Sequence, residues 1–327
     1  MPLDEATTAF LRKIAKGSPR PLHELGPAAA RAATRSMKPL YGSGPDVAAV
    51  TGAEIPGPAG PVPALVIRPP AAPAGVLVYF HGGGWVLGSA DEFEALGREL
   101  ACRTGCVVVL PDYRLAPEHR FPAAVDDAWS AVVWAGEQRA DLAGASVPLL
   151  VAGDSAGGNL AAVVCRRARD EGAPPIAMQV LIYPVTDCDF ETGSYRAPEN
   201  QLMFGRDTLR WFWDQYAPTP ESRSRPECAP ARAQDFGDLP PAVVVTAEHD
   251  VLRDEGESYA KLLDAAGVEV AHRRFGGQMH GFFSMVNVLP GSARALEFVA
   301  TEVIARIKGS DGAAERGGGD GPGRGGD

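Results

Sequence analysis

The chain has 327 residues, 45% of them hydrophobic and 22% charged, with a formal net charge of −10. That apolar content is ample for a core, and the length suits either two domains or one large α/β fold. The acid excess argues against nucleic acid or an anionic membrane as partner. Met1 to Lys16 lacks the apolar stretch of a secretory signal, and no apolar run is long enough to span a bilayer.

Residues 1–45 read as a partly helical, amphipathic segment, with Phe10, Leu11 and Ile14 as an apolar stripe. Pro19, Pro21 and Pro27 interrupt it, and Ala28 to Met37 resumes it. Such a segment either covers a core or lies loose as a terminus. Val47 to Ile55 and Val62 to Ile67 are strands joined by the Pro/Gly turn Pro56 to Pro61, a hairpin signal. Gly75 to Phe80 is a buried strand running into His81-Gly82-Gly83-Gly84-Trp85. Ala90 to Arg103 predicts a helix, Cys106 to Leu110 a strand and Ala123 to Gln138 a helix. Leu149 to Ala152 is a further strand, then comes Gly153-Asp154-Ser155-Ala156-Gly157, then a helix over Leu160 to Arg169. Ala177 to Tyr183 is a strand. Thr186 to Pro230 breaks the alternation and carries Trp211, Phe212, Trp213 and Tyr216 on a short helix, as a lid insertion would. Ala242 to Thr246 is a strand, Glu255 to Ala266 a helix, Val268 to Phe275 a strand and Ala293 to Lys308 a closing helix. Gly309 to Asp327 is glycine-rich and expected to be disordered. Strand–helix alternation from residue 75 onward implies a largely parallel sheet with helices on both faces. Its ligand site belongs at the carboxyl ends of the strands.

The five cysteines, Cys102, Cys106, Cys165, Cys188 and Cys228, are odd in number and scattered. A disulfide framework is therefore not expected, which fits a reducing cytoplasm. Cys102 falls on a helix and Cys106 opens a strand, so four-residue spacing there does not make a metal site.

Chemistry concentrates at four strand ends. Gly153-Asp154-Ser155-Ala156-Gly157 is a G-x-S-x-G pattern between a strand and a helix, the setting in which it marks a nucleophilic serine. In a chain with 38 glycines the pattern arises by chance roughly 0.2 times, so alone it equally describes an ordinary glycine-rich turn. A serine hydroxyl needs a base, and the base an orienting acid. Of the six histidines only His280 combines a strand's carboxyl end, a loop and small neighbours. Asp250 follows the strand Val243 to Thr246 and is the preferred acid; Glu248 and Asp254 are rivals, and Asp250 has an alternative role as a helix cap. Oxyanion donors are expected from the N–H groups of Gly82, Gly83 and Ala156. The chain order Ser155, Asp250, His280 is the order of α/β-hydrolases.

These motifs resemble the hormone-sensitive-lipase-like esterases, the bacterial HGGG/GDSAGG (family IV) branch of the α/β-hydrolases. The likeness rests on His81 to Trp85, Asp112-Tyr113-Arg114-Leu115-Ala116-Pro117-Glu118, Phe121 to Ala124, Gly153 to Asn159, Asp250 to Glu255 and His280-Gly281-Phe282. It departs at Val251, where the family often has proline. The resemblance implies an α/β-hydrolase fold: a mostly parallel eight-stranded sheet, helices on both faces and a helical cap. The cap is built from 1–45 and from an insertion at 186–230 within a catalytic domain over 46–308. It implies a serine carboxylesterase acting on short-chain acyl esters through a Ser155-Asp250-His280 triad, without metal or cofactor. The family includes both monomers and homodimers. An N- or O-deacetylase of a small metabolite and a non-catalytic ligand-binding relative are the alternatives. Trp85, Asp154, Phe204, Trp211 and Phe212 are candidate pocket residues; the aromatic ones, with Trp213, are equally candidates for the core of the cap.

Overall fold

Strands without polar alternation are stable only where both faces of their sheet are covered. The computed structural model describes residues 1–17 and 20–316. Eight strands form one sheet in the order β1-β2-β4-β3-β5-β6-β7-β8. They are β1 Ala49–Ile55, β2 Val62–Arg68, β3 Gly75–Phe80, β4 Cys106–Pro111, β5 Leu149–Asp154, β6 Met178–Ile182, β7 Ala242–His249 and β8 Val270–Met279. The hairpin β1–β2 and the pair β2–β4 are antiparallel, and all other neighbours are parallel.

The larger helices are α1 Glu5–Lys16, α2 Pro27–Arg35, α3 Glu94–Thr104, α4 Ala123–Glu137, α5 Ala156–Glu171, α6 Arg206–Tyr216, α7 Arg253–Ala265 and α8 Pro290–Arg316. Successive strand residues serve opposite cores, as pleating requires. Leu77, Tyr79, Val108, Leu150 and Val243 pack with Leu96 and Leu100 of α3 and Leu296, Val299 and Val303 of α8. Val76, Val78, Val107, Val151 and Val244 pack with Val125 and Val132 of α4, Leu160 and Val164 of α5, and Leu263 of α7. Burying each such side chain contributes about 1.5–3 kcal/mol, so both faces of the central strands demand apolar residues.

Two strands run further than periodicity suggested, and their ends position the site. β7 continues through Glu248 to His249, and β8 through Gly276 and Gly277 to Met279. Neither extension alternates apolar with polar, so no strand pattern marks it. After an irregularity in register His249 pairs with Met279. Asp250 and His280 therefore leave the sheet side by side.

The N-terminal segment is helical and docked. The Asp4 carboxylate accepts the Thr7 N–H at 2.7 Å, capping α1, and the Gln278 side-chain amide at 2.6 Å. The closing helix α8 extends to Arg316, past the Gly309 at which the tail was expected to begin. The rest of that expected tail, 317–327, lies outside the described residues.

Candidate active site

The turn after β5 is where the backbone is under most constraint. Ser155 has φ 55° and ψ −117°, a conformation L-residues rarely adopt and one that persists only where the surroundings enforce it. The Ser155 N–H donates to the Ile182 carbonyl at 2.8 Å, and its carbonyl accepts from Val185 N–H and Asn159 N–H, each at 3.1 Å. A Cβ at Gly153 would collide with the carbonyl oxygen of Gly157, and one at Gly157 with that of Phe80. The turn is thus closed by bare backbone, with the N-terminus of the 16-residue α5 immediately behind the hydroxyl.

The His280 Nε2 lies 3.0 Å from Ser155 Oγ, and its Nδ1 lies 2.7 Å from Asp250 Oδ2. Ser155, His280 and Asp250 are 6%, 8% and 0% exposed, so these contacts are made largely out of water. The second Asp250 oxygen accepts the Leu252 N–H at 2.8 Å. The imidazole lies between the Tyr183 ring, at 4.7 Å, and the edge of Phe204, at 5.4 Å. The rival acids are committed elsewhere. Glu248 accepts the Gly277 N–H at 2.8 Å and pairs with the amino group of Met1, while Asp254 accepts the Ser194 N–H at 2.7 Å. The other histidines also have separate surroundings. His23 bonds Thr208, His272 bonds Thr246 and His249 bonds the Met1 carbonyl, while His81 is buried against Tyr113 and His119 is exposed.

One expected oxyanion donor is not free. The Gly82 N–H donates to Asp154 Oδ1 at 2.8 Å, and the Tyr79 hydroxyl donates to the same oxygen at 2.8 Å. Burial pushes the Asp154 carboxyl up to about 6, against these two donors and the nearby His280. Among the described residues the N–H groups of Gly83, Gly84 and Ala156 have no hydrogen-bond partner. Gly83 and Gly84 line the cavity with Ser155 and His280, so the third glycine of the run, not the first, joins Gly83 and Ala156 as an available donor.

That cavity has a volume of about 980 Å³. It is walled by Leu11 and Ile14 of α1, Met37, Met203, Met285 and Val286, and Phe204 and Phe212 line it together with Ser155 and His280. Of the candidate pocket residues, Asp154, Phe204 and Phe212 line it and two do not. Trp85 is fully buried, stacked on Tyr216 at 4.2 Å and edge-on to Trp213 at 5.0 Å. The Trp211 ring lies 5.1 Å from that of Phe212 and is absent from the cavity lining. The helical spacing of Trp211, Phe212 and Trp213 sends neighbouring side chains in different directions, so only Phe212 faces the site.

Residues with no sequence signal complete the surroundings. Asn200 Nδ2 donates to the carbonyls of Ser194, at 2.9 Å, and Asp250, at 3.2 Å, while the Ser194 hydroxyl donates to the Val251 carbonyl at 2.6 Å. Asn200 and Ser194, both between β6 and β7, therefore grip the backbone that carries Asp250. No group of His, Cys, Asp and Glu among the described residues is arranged to hold a metal ion, and no described helix is long and apolar enough to cross a membrane.

The family described as "alpha/beta hydrolase fold" matches residues 77–284. A carboxylic ester hydrolase of Mycobacterium tuberculosis, LipN, is 46% identical over 267 residues, covering 79% of this chain and 70% of its own. An ethyl acetate hydrolase of Pseudomonas putida is 37% identical, covering 73% of this chain and 76% of its own. The solved hyperthermophilic esterase from the archaeon Pyrobaculum calidifontis superposes with a TM-score of 0.86 at 37% identity, over 93% of this chain and 99% of that one. With matched motifs, sheet order and site geometry, the chain belongs to the α/β-hydrolase fold family.

Proposed function

We propose that the protein is a serine carboxylesterase of short-chain acyl esters, with Ser155 as nucleophile, His280 as general base and acid, and Asp250 as orienting carboxylate. The observation that carries this reading is the line from Ser155 Oγ through His280 to Asp250, at 3.0 and 2.7 Å, opening onto an apolar cavity. The names of the three relatives described above, each an ester hydrolase or esterase, support it. Residues 1–45 and 186–230 act as a cap on the catalytic domain, 46–308; both contribute walls to the cavity.

His280 Nε2 takes the Ser155 proton as Oγ bonds to the ester carbonyl carbon. The carbonyl oxygen becomes the oxyanion and is met by the N–H groups of Gly83, Gly84 and Ala156. Asp250 accepts from His280 Nδ1–H, which fixes the tautomer and stabilises the imidazolium. His280 then returns the proton to the leaving alcohol as the carbon–oxygen bond breaks. Water, deprotonated by His280, repeats the addition and releases the acid. Phe204 on the histidine and Phe212 against Gly84 crowd the reacting carbonyl, which favours small acyl groups.

The test is a p-nitrophenyl ester series, acetate to palmitate, on wild type and Ser155→Ala. Turnover is expected to peak at two to six carbons and to fall by about 10⁴-fold or more in the variant, with the melting temperature little changed. A folded Ser155→Ala protein with near-normal turnover refutes the assignment of the nucleophile. A folded wild type inert on every ester moves the reading to an acetyl-metabolite substrate or to ligand binding.

A further inference from the structure

The turn that supplies two oxyanion donors is conformationally costly. Gly83, Gly84 and Trp85 have φ of 114°, 62° and 59°. For Trp85, a bulky residue, that is an outlier region. A run of this kind holds its shape only if its surroundings over-determine it. Inside the turn, the Val86 and Leu87 N–H groups donate to the Gly83 carbonyl at 3.1 and 2.9 Å. The Trp85 and Val86 carbonyls then point outward and need donors from elsewhere. The Trp85 carbonyl is met by the Ala116 N–H at 2.8 Å.

The Val86 carbonyl is met by a side chain from the far end of the sequence. Arg31, on α2, donates from Nε to Val86 O at 2.7 Å and from Nη2 to Ala116 O at 2.8 Å. Its fork also takes both Glu118 oxygens, at 2.9 and 2.6 Å, and this holds the Glu118 carboxyl down at about 2. One planar guanidinium thus ties together the two loops whose backbones frame the turn. Lysine has no equivalent geometry, since its ammonium is a single point of donation. The neighbouring cations differ in kind: Arg35 and Lys38 make only side-chain pairs with Asp91 and Glu92 at the surface, contacts of the class that contributes little. Arg31 is absent from the cavity lining and touches no reacting group.

We infer that Arg31 is a positioning residue for the oxyanion site: it fixes the Gly83-Gly84-Trp85-Val86 turn from behind, through the Val86 and Ala116 carbonyls. The N-terminal segment is then part of the catalytic geometry as well as a cover. The inference rests on the acyl-transfer chemistry proposed for Ser155. A purely structural Arg31–Glu118 ion pair predicts that losing either partner has the same effect. Positioning predicts that only Arg31 matters to the rate, because Glu118 touches neither carbonyl.

The full-length chain is tested as Arg31→Met, Arg31→Lys and Glu118→Gln. Melting temperature, kcat and KM on p-nitrophenyl butyrate, and the second-order rate of Ser155 phosphonylation by an alkyl fluorophosphonate are measured for each. Deleting one oxyanion donor outright typically costs about 10²–10³ in kcat, so displacing the turn should cost about 10–30-fold. Arg31→Met and Arg31→Lys are expected to lose that much in kcat and in phosphonylation rate, with KM within about two-fold. Glu118→Gln is expected to keep both rates within about two-fold whatever its melting temperature. Folded Arg31 variants with unchanged rates overturn the inference. So does a rise in KM without loss of kcat, or an equal loss in Glu118→Gln. If Arg31→Met does not fold, Arg31→Lys decides by the same criteria. Phosphonylation reads the turn without an ester, so a wild type that is phosphonylated but turns over no ester counts against the substrate assignment, while the Arg31-to-wild-type rate ratio still judges the turn.

Discussion

Asp154 stands next to Ser155, is 3% exposed and has its carboxyl pushed up to about 6 by burial. Replacing it with asparagine separates its two properties. The side-chain oxygen that accepts from Tyr79 and Gly82, each at 2.8 Å, has an equivalent in the amide; the charge does not. Because the folded-state pKa lies above the unfolded one, folding favours the protonated acid. That contribution is complete below about pH 3.8 and is lost as the pH climbs through about 6. The rise from 3.8 to about 6 corresponds to about 3 kcal/mol at 1.36 kcal/mol per pH unit. For a chain of this size it is worth roughly 5 °C in melting temperature. Asp154→Asn should therefore match wild type at about pH 3 and melt several degrees higher at about pH 8. Thermal unfolding of both proteins across that range measures it, with kcat retained within about three-fold if the Gly82 contact survives. Asp154→Ala leaves the Tyr79 hydroxyl and the Gly82 N–H unpaired and should lose about 1–3 kcal/mol for each. A constant difference between wild type and Asp154→Asn at every pH refutes the buried-charge argument.

Two further substitutions probe the cavity and its cover. Phe204→Ala removes the ring whose centroid lies 5.4 Å from that of His280 and opens the cavity wall beside it; under the proposed function the chain-length optimum should move by about two carbons towards longer acyl groups, and an unchanged profile counts against Phe204 as the limit. Asp4→Ala removes the α1 cap and the contact to Gln278, and denaturant unfolding should show a loss of about 1–2 kcal/mol; an unchanged midpoint would mean the N-terminal segment is not docked in solution.

The central strands were legible because each is an apolar run covered on both faces, and such runs have few alternatives. The ends of β7 and β8 were not: Glu248-His249 and Gly276-Gly277-Gln278 have neither alternation nor β-branched residues, and they are strand because register with a neighbour carries them on. Side chains that act through backbone were invisible for a similar reason. Asn200 and Arg31 meet carbonyl oxygens 50 and 55 residues away, and a carbonyl leaves no mark on its own residue type. The aromatic candidates misled in the opposite sense: residue type alone does not say which side of a helix faces a ligand, so Trp211 is absent from the cavity lining, and Trp85, in the turn after β3, is buried against Tyr216 and Trp213.

The proposed oxyanion donors make the general case. His81-Gly82-Gly83-Gly84 announces that backbone must approach something closely, and that holds for all three glycines. At Gly82 the close neighbour is the Asp154 carboxylate, into which a Cβ would intrude; at Gly84 it is the Phe212 ring. Three identical residues thus satisfy three different steric demands, and only hydrogen-bond accounting separates them. Gly82 has given its N–H to the carboxylate beside Ser155, and that contact joins the two motifs, 72 residues apart. The residue preceding Ser155 is therefore acidic for the sake of the turn opposite it. The elevated pKa of that acid follows from burial of its carboxyl, and the exclusion of water that raises it is also what the proposed oxyanion site beside it would require.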